Sequence, residues 1–213
     1  MAVLKELSLL QVFPETAQVK NDRLFLGGCD CVELADRFGT PLYVFDQAAL
    51  RHRCEEFKKE FGGRYPNSLV IYASKAFASR ALVKILNDAG LGLDVVSGGE
   101  MAIARASGFP PQRVYFHGNN KSESELREAL EWGIGRVVVD NFYELALLEE
   151  VAAERGMKQD ILLRLSPGID PHTHHLTSTG VVDSKFGFLM ARAENAVEAA
   201  LKAPHLRLLG IHS

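Results

Sequence analysis

The sequence lacks the signals that mark several functional classes. It has only three cysteines (Cys29, Cys31 and Cys54) and no CxxC pair, which argues against a disulfide framework and against a structural zinc site. The net charge of −3 offers no basic surface for nucleic acid or for an anionic membrane. No apolar run approaches the roughly 18 residues of a membrane span, and the N-terminal stretch is a poor signal peptide. We therefore expect a cytoplasmic protein that has neither a nucleic-acid nor a membrane partner.

From about residue 68 onward, strand-like and helix-like runs alternate. The predicted strands cover 68–74, 91–96, 113–117, 136–140, 160–165 and 205–213, and the predicted helices cover 79–89, 98–107, 122–132, 142–155 and 190–203. Capping-box spacings open two of these helices, at Ser97 and Ser122. Glycines fall where helices should stop: Gly90, Gly108, Gly133 and Gly156. This alternation predicts parallel strands with right-handed crossovers, in either a doubly wound sheet or a (β/α)8 barrel.

Residues 1–45 have a different pattern. The runs at 23–26 and 41–45 predict two short strands on either side of a helix near 32–38. We expect this segment to belong to a part of the fold other than the barrel, and residues 46–213 to form the barrel, starting with an amphipathic helix over 46–61. The last predicted strand ends at Ser213. Six strands are two short of a closed barrel, so we expect an incomplete barrel or an open sheet.

Lys75 directly follows the first predicted strand of the alternating region, in Tyr72-Ala-Ser-Lys-Ala76. Lysine at such a point either marks the solvated end of the strand or takes part in chemistry. An ε-amine at the mouth of a barrel could form a Schiff base with a carbonyl cofactor. Lys75 is therefore a candidate catalytic residue, with the solvated strand end as the alternative.

Polar residues also follow the other predicted strands, on the face where parallel α/β proteins carry their active sites. Asp94 and Arg164 are charges inside otherwise apolar runs. An unpaired charge is costly in such a place, so each is a candidate functional residue. Other polar residues near these strand ends have structural explanations as helix caps or turn residues: Asn119, Asn120, Ser122, Asp140 and Asn141.

Two further patterns suggest binding sites only weakly. The stretch at 166–180 is too long for a routine connection and predicts a functional loop. Its histidines, His172, His174 and His175, lack an HExxH pattern and convergent carboxylates, so we predict no metal site. Gly98 and Gly99 at a helix start could receive a phosphate, or could simply cap the helix. The Walker A, GxGxxG and GxSxG motifs are absent.

Several segments, in the right order, resemble the diaminopimelate decarboxylases, which are pyridoxal-phosphate (PLP) enzymes of the alanine-racemase-like barrel class. The resemblance runs from about residue 22 to the end. Its segments are PLYVF at 41–45, YASKA at 72–76, GLDVVSGGE at 92–100, FHGNNKS at 116–122, RLSPGID at 164–170, HHLTSTG at 174–180, SKFG at 184–187 and LGIHS at 209–213. YASKA is the strongest match. SKFG and the Thr-Gly loop favour this family over its polyamine-forming relatives.

The resemblance implies a (β/α)8 TIM-type barrel, incomplete in this chain, and a separate β-domain to which the N-terminal strands would belong. It implies that Lys75 holds PLP as an internal aldimine, that Asp94 belongs to the polar network beside the cofactor, and that Arg164 lies near the pyridine ring. The implied reaction is decarboxylation of the amino acid meso-2,6-diaminopimelate to L-lysine and CO2, with PLP as the electron acceptor. A homodimer is implied for the full-length enzyme.

The chain also departs from the family. By the same resemblance, the histidine that stacks on the ring, the glycine-rich phosphate loop, the glutamate at the pyridine nitrogen and the C-terminal β-domain would all follow Ser213. His212 lies slightly too early to be the stacking histidine. We therefore expect the chain by itself to be inactive. Three alternatives stay open: a decarboxylase for arginine, ornithine or carboxynorspermidine, a non-catalytic PLP-carrier barrel, and a pseudo-enzyme or interaction protein.

Overall fold

A computed structural model describes residues 13–168 and 186–213. The chain divides into two compact units, Met1–Val70 and Ile71–Ser213. The helix predicted over 46–61 therefore groups with the N-terminal strands rather than with the parallel sheet. The domain boundary expected between residues 45 and 46 stays a prediction. No helix in these described ranges is long and apolar enough to cross a membrane.

Over its described residues, 13–70, the first unit contains a small antiparallel sheet and two helices. Its elements are β1 (Gln18–Lys20), β2 (Arg23–Leu26), β3 (Cys29–Asp30), α1 (Cys31–Phe38) and α2 (Gln47–Gly62). The strand order is β1-β2-β3. Asp30 begins α1, because its Oδ1 accepts hydrogen bonds from the amides of Val32 (2.8 Å) and Glu33 (3.3 Å). Asp46 caps α2 in the same way. The predictions of a strand at 23–26 and of both helices are confirmed.

The strand predicted over residues 41–45 is wrong. Its apolar run resembles that of a strand, but a strand also needs a partner for its backbone groups. In the described part of the chain this segment pairs with no strand. Its large side chains are exposed, with Tyr43 at 90%, so the pattern does not reflect burial within this chain.

The second unit is built on a parallel sheet. Its strands are β4 (Ile71–Ala73), β5 (Gly92–Val95), β6 (Val114–Phe116), β7 (Arg136–Val139), β8 (Gln159–Ser166), β9 (Phe188–Leu189) and β10 (Leu206–His212). The sheet order is β10-β8-β7-β6-β5-β4, with the short β9 on β8, and every pairing is parallel. A doubly wound sheet reverses its strand order at a switch point. Here, β4 to β8 pair strictly in chain order, which is the winding of a barrel.

Helices connect these strands as the sequence predicts. They are α3 (Arg80–Asp88), α4 (Gly98–Ala106), α5 (Glu123–Trp132), α6 (Phe142–Glu154) and α7 (Ala193–Lys202). Ser79, Ser97, Ser122 and Asn141 cap the first four through side-chain oxygens. The full capping box is present at Ser122. At Ser97 only half of it forms, because the Glu100 carboxylate accepts from the amide of Val96 instead (2.6 Å).

The core of this unit lies between the sheet and its helices. Leu93, Phe116, Val137, Ile161 and Leu163 of the sheet are completely buried, as are Leu126, Leu130 and Leu148 of the helices. Burying each such side chain contributes about 1.5–3 kcal/mol to folding. This packing aligns the strands so that their C-terminal ends lie along one edge.

Candidate active site

The sequence-predicted residues lie at the C-terminal ends of the parallel strands. Lys75 is exposed in the turn that follows β4, and Asp94 lies in β5. The amide of Ser74 donates to the carbonyl of Asp94 (2.9 Å), which ties the Lys75 turn to β5. Arg164 lies near the end of β8. The structure therefore places all three on the edge where barrel enzymes carry their sites.

Asp94 is a partly buried carboxylate with incomplete hydrogen bonding. Its side chain is 19% exposed, and its Oδ1 accepts no hydrogen bond from the described residues. Burial raises its pKa to about 6, and the positive charge of Lys75 opposes this shift. Asp94 is thus close enough to feel the Lys75 ammonium, and it carries a proton more readily than an ordinary aspartate.

His117 faces Asp94 from the end of the next strand. The Nε2 atom of His117 lies 3.8 Å from Oδ1 of Asp94, and its backbone amide donates to the carbonyl of Val95 (2.8 Å). Burial lowers its pKa to about 3, and the neighbouring His212 adds to this shift. The two histidine rings meet edge to face, with centroids 4.5 Å apart. His117 is the last residue of the strand predicted over 113–117 and thus one of the polar residues expected at the strand ends, but the sequence gives it no specific role.

Arg164 is held by an acidic residue that directly follows the neighbouring strand, β7. One guanidinium nitrogen lies 3.0 Å from Oδ1 of the buried Asp140, and the guanidinium lies over the ring of Phe186 at 4.6 Å. Asp140 is therefore the partner of Arg164 and not a helix cap. Asn141 is the cap of α6, since its side chain accepts from the amide of Glu144 (2.9 Å).

A buried ion pair between Lys121 and Glu144 lies next to Asp140. Nζ of Lys121 lies 2.6 Å from Oε1 of Glu144, and Oε2 of Glu144 accepts from the amide of Asp140 (3.1 Å). Burial lowers the pKa of Lys121, and the carboxylate of Glu144 opposes that shift. Burial likewise raises the pKa of Glu144, against the charge of Lys121. The sequence pattern gave no sign of this pairing.

Gly187 packs closely against the backbone of Arg164. Its φ is +77°, and a Cβ atom there would lie 2.8 Å from the carbonyl oxygen of Arg164 and 3.2 Å from its Cγ. Only glycine accommodates both constraints without strain. The last residue of the SKFG segment therefore has a defined structural role next to a candidate site residue.

The phosphate site suggested at Gly98 is not open. The amide of Gly98 donates to Oε1 of Glu125 (2.8 Å), so the start of α4 is already occupied by a carboxylate. This supports the capping interpretation. The three histidines at 172–175 lie outside the described residues. Within the described ranges, no group of three or more potential metal ligands comes together.

The strand ends offer several unused polar atoms. Five buried side-chain polar atoms of the described residues lack a hydrogen-bond partner. Four of them lie at or next to the C-terminal ends of β4, β5, β8 and β10: Ser74 Oγ, Asp94 Oδ1, Ser166 Oγ and His212 Nδ1. Buried polar atoms normally have partners, so this cluster, with the exposed amine of Lys75 at its side, fits a polar cofactor that carries a carbonyl group.

The sequence family agrees with this geometry. Residues 47–213 match the family described as pyridoxal-dependent decarboxylase, pyridoxal binding domain, and the chain belongs to that family. Pyridoxal phosphate is therefore the cofactor of this barrel. Within the family, the similar proteins include several diaminopimelate decarboxylases. The enzyme of Bacillus subtilis (strain 168) is 50% identical over 197 residues, which are 92% of this chain and 45% of that protein.

Solved structures give the same result. The diaminopimelate decarboxylase of M. jannaschii, in complex with L-lysine, is 35% identical with a TM-score of 0.83, and the match covers 93% of this chain and 47% of that one. The Helicobacter pylori enzyme, also with L-lysine, is 34% identical with a TM-score of 0.80, covering 85% and 45% of the two chains. The fold is therefore that of a TIM-type barrel decarboxylase. The chain spans about half the length of the curated relatives it matches.

Proposed function

We propose that this chain carries the cofactor-anchoring part of an enzyme that decarboxylates meso-2,6-diaminopimelate to L-lysine and CO2. The observation that supports this most directly is the position of Lys75 beside Asp94 at the strand ends, in a chain that is 50% identical to a diaminopimelate decarboxylase. We further propose that the full-length protein is a cytoplasmic homodimer, and that the 213-residue chain alone does not turn over substrate.

Each predicted residue has a role that its surroundings support. The amine of Lys75 is exposed, and it would hold the cofactor by condensing with its aldehyde group, whose oxygen leaves as water. Asp94 keeps a negative charge next to that amine at neutral pH, since its pKa is about 6. Arg164 presents a fixed positive charge, held by Asp140. When bound, pyridoxal phosphate would accept the electron pair that stays behind when the carboxylate leaves as CO2.

The covalent anchor is tested by reduction and peptide mapping. The protein is incubated with pyridoxal phosphate, reduced with borohydride and digested, and the labelled peptide is identified by mass spectrometry. We expect the label on Lys75. A label on another lysine, with Lys75 unmodified, would contradict the proposal.

The substrate is tested on the full-length protein. It is assayed for CO2 release with meso-2,6-diaminopimelate, arginine, ornithine and carboxynorspermidine. We expect turnover of meso-2,6-diaminopimelate with L-lysine as the product, which agrees with the L-lysine in the M. jannaschii and H. pylori structures. Faster release from one of the other three amino acids would replace the proposed substrate. Stable cofactor binding without any turnover would favour the non-catalytic carrier.

The isolated 213-residue chain is assayed in parallel with the full-length protein. We expect no L-lysine formation from it, because the resemblance places several cofactor ligands outside this sequence. Substantial L-lysine formation by the isolated chain would overturn the claim that it is inactive.

A further inference from the structure

The ammonium of Lys121 is completely enclosed and fully hydrogen-bonded. Its side chain is 0% exposed. Nζ donates to the carbonyls of Gly118 and Val138 (both 2.8 Å) and to Oε1 of Glu144 (2.6 Å). An ammonium has three donors, and all three are used. Lys121 therefore joins the loop after β6, strand β7 and helix α6 at a single buried point.

From Lys121 the network runs outward to the candidate site. Glu144 uses its second oxygen to accept from the backbone amide of Asp140 (3.1 Å). Asp140 in turn holds the guanidinium of Arg164 (3.0 Å). The exposed fraction of the side chains rises along this path, from 0% at Lys121 and 4% at Glu144 and Asp140 to 20% at Arg164. The open end of the network is thus Arg164.

The four side chains carry two positive and two negative charges. Stability alone is a weak reason for such a group, because an apolar replacement of a buried ion pair is often as stable or more stable. What the group does provide is a rigid, charge-balanced support for one guanidinium. The charge of that guanidinium acts on Asp94, His117 and His212, which line the candidate active site.

We propose that Lys121 and Glu144 are positioning residues, which fix Asp140 so that it aims the Arg164 guanidinium at the pyridoxal phosphate. This inference rests on the proposed function, because it assumes that the cofactor lies beside Arg164. Lys121 and Glu144 touch neither cofactor nor substrate in this scheme. They act only through Asp140 and Arg164.

The test is a double-mutant cycle on the full-length protein, with the dissociation constant of pyridoxal phosphate and the visible spectrum of the bound cofactor as readouts. Lys121→Met and Arg164→Met should each weaken cofactor binding about tenfold, which is the usual loss with one charge-assisted hydrogen bond. If Lys121 acts through Arg164, the double variant should bind no more weakly than Arg164→Met alone, because coupled residues are non-additive. Multiplied losses in the double variant would overturn the proposal.

A second pair of variants keeps the test decisive if Lys121→Met does not fold. Lys121→Met combined with Glu144→Met removes both buried charges at once, a change that buried ion pairs often tolerate. The Lys121→Met, Glu144→Met variant then takes the place of Lys121→Met in the cycle with Arg164→Met. An unchanged dissociation constant in the folded Lys121→Met, Glu144→Met protein would also overturn the proposal.

The control is an ion pair that likewise involves α6 but joins it to α5 and lies away from the strand ends. Arg127 and Glu154 pair at 2.6 Å. Arg127→Met should change neither the cofactor affinity nor the spectrum. The proposed function is judged separately: if wild-type protein binds pyridoxal phosphate but does not decarboxylate meso-2,6-diaminopimelate, the substrate proposal fails while the cycle still reports on Lys121.

Discussion

Nε2 of His117 lies 3.8 Å from Oδ1 of Asp94, at the ends of adjacent strands of the parallel sheet. Burial acts on the two groups in opposite senses, raising the pKa of Asp94 to about 6 and lowering that of His117 to about 3. At neutral pH the pair is therefore an aspartate anion facing a neutral imidazole. The negative charge of Asp94 therefore lies close to Lys75, and the opposite shifts make the pH dependence of stability informative.

Replacing Lys75 by alanine should remove the covalent cofactor anchor and leave the fold intact. Lys75 is exposed in a turn, so the free energy of unfolding should change by no more than about 0.5 kcal/mol. Turnover by the full-length protein should fall at least about 100-fold, the lower end of what a positioned reacting group contributes. Lys84→Ala, an exposed lysine of α3, is the control. If borohydride still attached the cofactor covalently to the Lys75→Ala variant, and its turnover stayed near normal, Lys75 would not be the catalytic residue.

Replacing Asp94 by asparagine should stabilise the cofactor-free protein above about pH 6. The pKa of Asp94 is about 6 in the folded state against 3.8 for the ordinary group. Between these values the folded state holds a proton that the unfolded chain has lost, so stability falls as the pH rises. Asp94→Asn removes this loss, which we expect to be about 1–2 kcal/mol for a partly solvated carboxylate.

Denaturant unfolding from pH 4 to pH 8 measures this effect. The gain should disappear near pH 4, where the wild-type Asp94 is protonated in the folded state. Asp36→Asn, on the exposed surface of α1, serves as the control and should show no such gain. A stability difference that is constant across this pH range would contradict the assigned burial effect.

Replacing His117 by asparagine should make the protein less sensitive to acid. The folded state keeps His117 neutral down to about pH 3, whereas the ordinary value is 6.5. As the pH falls from 6.5 towards 3, the unfolded chain binds a proton at this histidine and the folded state does not, so the folded state becomes less stable relative to the unfolded chain. Between pH 6.5 and pH 4, His117→Asn should lose about 2 kcal/mol less than the wild type. Chemical unfolding at several pH values tests this, with His52→Asn on α2 as the control; equal acid sensitivity in His117→Asn and wild type would show that His117 is not buried neutral.

Replacing Gly187 by alanine should disturb Arg164 as well as the local backbone. Gly156 has a similar positive φ of +60° but no atom within 4 Å of its missing Cβ. Gly156→Ala should therefore cost only the backbone strain, about 1–2 kcal/mol. Gly187→Ala should cost more, because its Cβ would lie 2.8 Å from the carbonyl oxygen of Arg164.

The comparison of these two variants isolates the contact with Arg164. Gly187→Ala should also weaken binding of pyridoxal phosphate by the full-length protein, whereas Gly156→Ala should not. Thermal unfolding and cofactor titration measure the two effects. Equal destabilisation by both substitutions would mean that the contact at Gly187 carries no cost.

Much of the secondary structure was predictable because it depends on local chemistry. Helices α3, α4 and α5 begin at a serine, and α6 begins at an asparagine. Each of these side chains accepts a hydrogen bond from a backbone amide three residues later, so a local pattern in the sequence indicates where the helices start. Apolar runs between these helices predict the strands for the same reason. The prediction failed at 41–45, where a strand-like apolar run has no partner strand within the described chain. Strand pairing depends on residues distant in sequence, so a local apolar run does not determine it.

The site was only partly predictable. Asp94 and Arg164 stand out in the sequence because a charge interrupts an apolar run, and Lys75 because it ends one. The functional roles of these three residues stay predictions. The sequence alone gives His117 no specific role and allows Asp140 to be a helix cap, because the partners of these two residues lie 23 and 24 residues away along the chain. Only the parallel register of neighbouring strands brings such residues together.

The sequence by itself determined the order of strands and helices, the helix caps and the resemblance to a family, since each depends on residues close together in the chain or on motifs in a fixed order. The tertiary structure decided three things that required strand register. It chose the winding of a barrel over a doubly wound sheet, it made Asp140 the partner of Arg164, and it placed Lys121 and Glu144 in one buried ion pair. These contacts join residues that are distant in sequence, and only the packing of β5, β6, β7 and β8 with α6 determines which of them meet.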